Sequence, residues 1–148
     1  MDSMTSPYTH MPHPGPGCHP PDQRVGAWGK VPDMVRTLGG DAEQVLAAAG
    51  LDAAAIDDPD KRIPYPALGR LLNAAAQETR CPHFGLVCGS TWGLDDLGLV
   101  GEIARNGATV GDAVRAIVVY QRLNSGGGMA FLVNDETTAD FGYAIYYP

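Results

Sequence analysis

The sequence predicts an α+β fold, a mainly helical N-terminal bundle of roughly five to seven helices followed by an antiparallel β-hairpin. Three observations carry this expectation. The segment from Asp57 to Gly89, DDPDKRIPYPALGRLLNAAAQETRCPHFGLVCG, joins a proline-started amphipathic helix to a second, shorter helix opened by Pro82. Capping residues and glycine stops punctuate the chain on both sides of that segment. Beyond Ser125 the apolar spacing changes from that of a helix to the alternation of a half-buried strand.

Val31 to Leu38 reads as a short helix, with Met34, Val35 and Leu38 on one side and Gly39-Gly40 as its end. A second helix follows, in which Asp41 and Gln44 form a capping-box-like pair, Val45, Leu46 and Ala49 make the apolar stripe, and Gly50 supplies a left-handed stop. Asp52 to Asp58 holds one more turn, closed by Pro59. The next helix starts near Pro66, whose fixed backbone angle and missing N–H suit a first turn. Leu68, Leu71, Leu72, Ala75 and Ala76 then recur at helical spacing opposite Arg70, Asn73 and Gln77. Phe84, Leu86 and Val87 continue the piece opened by Pro82 to Gly89.

Leu94 to Asn106 is expected as one helix started by Asp95 or Asp96, with Gly98 and Gly101 allowing another backbone to approach. Thr109 and Asp112 form an N-cap pair for a helix from Val110 to Leu123, apolar except for Asp112, Arg115, Gln121 and Arg122. Asp112, Arg115, Val119 and Arg122 line one side, so the remainder is expected at the centre of the core. Ser125-Gly-Gly-Gly reads as a flexible connector. Met129 to Val133 and Thr138 to Tyr147 then read as two strands around a polar turn. A lone hairpin is marginally stable and needs a helix, further strands or another copy of the chain to cover it.

Residues 1–24 hold three of the four histidines, are dense in proline and carry almost no aliphatic side chains. Burial there cannot offset the entropy of ordering, so this stretch is expected to be a disordered tail, with one domain over residues 25–148. His10, His13, Cys18 and His19 fit no usual zinc spacing, and no metal or cofactor is expected. Three cysteines make no disulfide framework and suit a reducing cytoplasm. No apolar run approaches the roughly 20 residues of a membrane span. The net charge of −7, with basic residues scattered, argues against direct nucleic-acid binding. A preference for Ala, Gly, Pro and Arg over Lys points to a GC-rich bacterial genome.

No feature requires an enzyme. Ser125-Gly-Gly-Gly follows a helix and precedes a strand, the reverse of a phosphate loop. Asp95 and Asp96 are adjacent and point apart, which suits capping better than acid–base work. Ser90, His83 and an aspartate lack any nucleophile motif. His83 is expected to be a hydrogen-bonded helix-start residue, and Cys88 a small buried hydrophobe.

Taken in order, DAEQVLAAAGLD, DDPDKRIPYPALGRLLNAAAQET, CPHFGLVCG and DDLGLVGEIARNGATVGDAVRAIVVYQRLNSGG resemble the N-terminal regulatory, arabinose-binding-like domain of AraC/XylS-family bacterial transcription regulators. The resemblance runs from about Val31 to Asn124, with the hairpin following it. It implies a sensor that takes up a small effector or dimerises, while a separate C-terminal pair of helix-turn-helix units binds DNA. No such region is present in this sequence, and the domain is expected to be incomplete at its C-terminus. Two functions follow as expectations. The chain is a small-molecule-sensing or dimerisation domain of such a regulator, working as a homodimer or as a heterodimer with a related regulator. Alternatively, it is a free-standing module that forms inactive heterodimers with a full-length regulator. An effector is expected between the central helix and the hairpin, walled by Trp92, Tyr120, Phe131 and Tyr143, with Arg122 as an anion contact. The effector itself is not legible, and no sugar-binding residue carries over by position.

Overall fold

The computed structural model describes residues 21–135 and 137–146. The histidines and Cys18 of the expected tail lie outside the described residues. Asp22–Arg24, which the reading above placed in that tail, forms strand β1. It pairs antiparallel with β2, Arg62–Pro64, in the register Gln23↔Ile63. Each strand has only three residues, too short for a period to show in the sequence.

The helices then follow as α1 (Val31–Thr37), α2 (Ala42–Ala49), α3 (Ala53–Ile56), α4 (Tyr65–Glu78), α5 (Phe84–Gly89), α6 (Leu99–Arg105) and α7 (Val110–Tyr120). Short 3-10 turns lie at Gly26–Lys30, Leu94–Leu97 and Gln121–Leu123. Strands β3 (Gly128–Asn134) and β4 (Ala139–Ile145) complete an α+β fold.

Local chemistry explains most boundaries. Asp41 caps α2 by accepting from the backbone N–H groups of Glu43 and Gln44, and Gly50 ends the helix at φ 72°. The reciprocal half of that cap comes from α4, where Glu78 Oε1 accepts the Asp41 N–H at 3.1 Å. Asp52 caps α3 through the Ala55 N–H, and Thr109 caps α7 through the Asp112 N–H. Pro66 stands in the first turn of α4, whose Tyr65 N–H is taken by the Pro21 carbonyl at 2.8 Å. His83 begins α5 with its carbonyl accepting from Leu86 and Val87, and its side chain makes no capping bond.

The expected single helix over Leu94–Asn106 is broken at Gly98, whose φ of 57° departs from the helical region. The break folds the 3-10 turn back onto α6. A Cβ on Gly101 would collide with the Leu94 carbonyl, so the close approach expected at Gly101 is made by its own preceding turn.

The core is built between residues 25 and 88, from Val25, Val31 and Val35, then Val45, Leu46 and Ala49, then Ile63, Leu71, Phe84 and Cys88. Burial pushes the Cys88 thiol above its usual pKa, in keeping with a small apolar role. Helix α7 is not at the centre of this core: none of its residues is buried. It packs on α6 and β3 at the edge of the molecule. Its apolar composition is therefore only half covered, with Val110 82% and Val119 66% exposed. The charged stripe of Asp112, Arg115 and Arg122 does face solvent, as the spacing indicated.

A cavity where the helical core meets the hairpin

Strand β1 joins the two halves of the chain. Arg24 N–H donates to the Asn124 carbonyl at 2.7 Å, while the Asn124 amide reaches the Leu97 carbonyl at 3.0 Å. Arg62 on β2 donates to the Leu123 carbonyl at 2.8 Å and to Asp22 at 2.7 Å. Between these ties lies a cavity of about 570 Å³, floored by β1 and the Gly26–Lys30 turn, walled by α4 and α6, and closed by α7 and β4.

Trp28 and Trp92 stack edge-to-face there with ring centroids 4.6 Å apart. Leu72, Val100, Ile117 and Ile145 add aliphatic wall. One corner is polar. Gln121 and Ser125 are 8% and 4% exposed, and Ser125 Oγ lies 3.1 Å from the Tyr143 hydroxyl. Gln121 turns its Oε1 to the Ala130 N–H at 3.3 Å and its Nε2 to Tyr143 Oη at 3.5 Å. Tyr65 lines the same corner; burial, and then the hydrogen bond with Tyr143, hold its phenol well above the ordinary tyrosine pKa, so it stays protonated.

The glycines after Ser125 are part of this construction rather than a flexible connector. A Cβ on Gly127 would enter the Tyr65 ring, and one on Gly128 would enter the Tyr143 ring. Gly127 and Gly128 are accordingly buried, and Ser125 bridges to Gln23 of β1.

Arg24 and Asp96 also line the cavity, and both are engaged. The Arg24 guanidinium is wedged between Gly26 and Gly98, within 2.8 Å of where a Cβ on either would stand. It donates to Asp60 at 2.9 Å and to the Asp96 carbonyl at 3.0 Å. The Asp96 carboxylate binds Lys30 Nζ at 2.7 Å and accepts the Gly93 N–H at 2.8 Å. These two contacts, the Lys30 bond foremost, hold the Asp96 pKa below the usual carboxylate range.

Of the walls expected from sequence, Trp92 and Tyr143 line this cavity, and Tyr120, Arg122 and Phe131 stand outside it. The register separates the two rings of the hairpin. Phe131 pairs with Gly142 whereas Tyr143 pairs with Ala130, so they lie on opposite faces of the sheet. Tyr120 and Arg122 fall on the exposed side of the α7 end. The sequence reading missed Gln23, Arg24, Trp28, Tyr65, Gln121 and Ser125. Only Gln121 carried a signal, as an amide interrupting an apolar helical run; Arg24 was hidden in what looked like a tail.

Among the described residues there is no cluster of His, Cys, Asp or Glu able to hold a metal ion, and no helix long and apolar enough to cross a membrane. Residues 39–147 match the family described as the arabinose-binding domain of AraC transcription regulators, N-terminal. The chain is also similar to the HTH-type transcriptional regulator VirS of Mycobacterium tuberculosis, in strains CDC 1551 / Oshkosh and ATCC 25618 / H37Rv. Identity is 32% over 124 residues, covering 82% of this chain and 36% of the length of those relatives. The order of elements, the cavity and the match over most of the chain lead to one assignment: the protein belongs to the family of N-terminal arabinose-binding domains of AraC-type transcription regulators, which is not an enzyme family.

Proposed function

We propose that this chain is the effector-sensing domain of an AraC-type regulator, and that the effector occupies the cavity between the helical core and the α7–hairpin unit. The observation that carries this reading is the position of the cavity. Its walls come from β1 and α4 on one side and from α6, α7, Gln121–Ser125 and β4 on the other. A molecule bound there touches both units and favours whichever relative placement fits it best, the differential contact a sensor requires. Trp92 and Tyr143 are its proposed contacts, joined by Trp28, Tyr65, Gln121 and Ser125. Contact with DNA falls to another segment, in keeping with a net charge of −7 here.

Ligand entry has a built-in reporter. The chain has two tryptophans, and both line the cavity. Titration with candidate effectors should therefore shift intrinsic fluorescence, and Trp92→Phe should remove much of the signal. Saturable binding with tryptophan emission unchanged would place the ligand elsewhere and defeat the assignment.

A second reading, an interaction module that pairs with a related regulator, draws on the uncovered apolar surface. Val119, Leu123, Met129, Phe131 and Val133 are all exposed on α7, the turn after it and β3. Surfaces of this kind commonly mark association sites. The two readings are compatible in one protein, as homodimer or heterodimer.

A further inference from the structure

We infer that the effector is an uncharged, largely apolar molecule carrying few oxygen-bearing groups, and not a sugar. This deepens the sensing reading and rests on it. A pentose carries an oxygen on every carbon, and each one left without a partner inside a protein costs about 1–3 kcal/mol. The cavity has few polar atoms to offer. Gln23 Nε2 is directed to the Arg24 carbonyl, Asn124 Nδ2 to the Leu97 carbonyl, and Gln121 Oε1 to the Ala130 N–H. What remains among the described residues is one corner, made by the hydroxyls of Tyr65, Ser125 and Tyr143 and by Gln121 Nε2, whose contact to Tyr143 is a long 3.5 Å, together with the amide oxygens of Gln23 and Asn124 and the buried, unpartnered Trp92 Nε1. The corner can serve one hydroxyl or carbonyl group and the scattered atoms one or two more, short of the full set of oxygens on a pentose.

Charge is excluded by the same inventory. The two ionised groups on the wall are of opposite sign and each has its own partner, Arg24 with Asp60 and Asp96 with Lys30. Arg24 is held by Gly26 and Gly98 on either side of its guanidinium, so it cannot swing to a ligand without releasing the turn it anchors. The phenol of Tyr65 is held neutral. An entering carboxylate would lose its hydration and find no free cation among the described residues of the wall, a loss of several kcal/mol. An apolar body, in contrast, meets Trp28, Trp92, Leu72, Val100 and Ile117, and a cavity of about 570 Å³ is of the size that small-molecule sites have.

The test is displacement of the neutral fluorophore N-phenyl-1-naphthylamine from the full chain by 1-decanol, decanoate and L-arabinose, with tryptophan quenching followed in parallel. The expected result is displacement by decanol, with decanoate about a hundredfold weaker at pH 8 and arabinose inert. Tyr143→Phe combined with Ser125→Ala should weaken decanol about tenfold. Ile117→Phe and Leu72→Phe, either of which narrows the cavity, should each weaken probe and decanol about tenfold, whereas Leu86→Asp on the exposed side of α5 should leave both unchanged. Tight binding of decanoate or arabinose with tryptophan quenching, and none of decanol, would keep the site and overturn the ligand class. Probe binding that survives both narrowing variants but is lost in Phe131→Asp, on the exposed far face of the sheet, would overturn the site itself.

Discussion

At the scale of single residues, the glycines divide into those the packing demands and those it does not. A methyl group on Gly101 meets the Leu94 backbone, which cannot move aside, so Gly101→Ala is expected to lower stability by about 3 kcal/mol in urea denaturation. Gly69 sits within α4 with open space where a Cβ would stand. Gly69→Ala should therefore raise stability by about 1 kcal/mol through helix propensity alone; loss of stability there would mean that the α4 surface is covered in solution. Asp135 offers a pH test. Its carboxylate accepts the Thr137 and Thr138 N–H groups at 2.7 and 2.6 Å, which brings its pKa down to about 2. A depressed folded-state pKa means that its contribution is fully present above the unfolded carboxylate range and fades as pH falls towards about 2. Protection of the hairpin-tip amides, taken relative to intrinsic exchange at each pH, should fall over that acid window in the native chain, and Asp135→Ala should show little protection at every pH.

At the scale of elements, α2, α3 and α4 begin where their caps and proline predict, and the surprises lie where an element depends on a distant one. The 3-10 turn Leu94–Leu97 is held by Arg24, 72 positions away in sequence. Arg24→Ala removes donors to Asp60 and to the Asp96 carbonyl, and is expected to cost about 2 kcal/mol. Hydrogen exchange should show the loss concentrated at Leu94–Leu97; a uniform change across α1 to α5 would contradict the role assigned to Arg24. The hairpin makes the same point about legibility. Alternation told that Phe141, Tyr143 and Ile145 share a face, and they do, opposite Leu132, Ala130 and Gly128. Which face looks onto the cavity depended on the register and on the turn at Asp135, which pattern alone does not reveal. That is why Phe131 and Tyr143 could be grouped as walls of one site although the sheet separates them.

At the scale of the whole molecule, a buried core of α1 to α5 carries an outer unit of α6, α7 and the hairpin whose apolar surface is only partly covered. Phe131 and Val133 on one face of the sheet, and Val119 on α7, are exposed together with Leu123. Surface of that composition drives association in water. Sedimentation across a concentration series should show a defined dimer, and Val119→Glu with Phe131→Asp should return it to monomer while changing stability by no more than about 0.5 kcal/mol. A monomer at every concentration would remove the association reading and leave sensing alone.

The sequence by itself determined the fold class, the limits of most helices and the family, because caps, proline starts and apolar periods are local and each is written within a few neighbouring residues. It also determined that basic side chains are scattered and that the net charge is −7. Only the tertiary structure decided that Asp22–Arg24 is a strand, that Gly98 breaks a helix, and that α7 lies at an edge rather than at the centre. It alone assembled the cavity, whose walls run from Gln23 to Ile145. Contacts spanning most of the chain leave no periodic trace in it: a side chain's neighbours along the backbone show which face of an element is apolar, and not what covers that face.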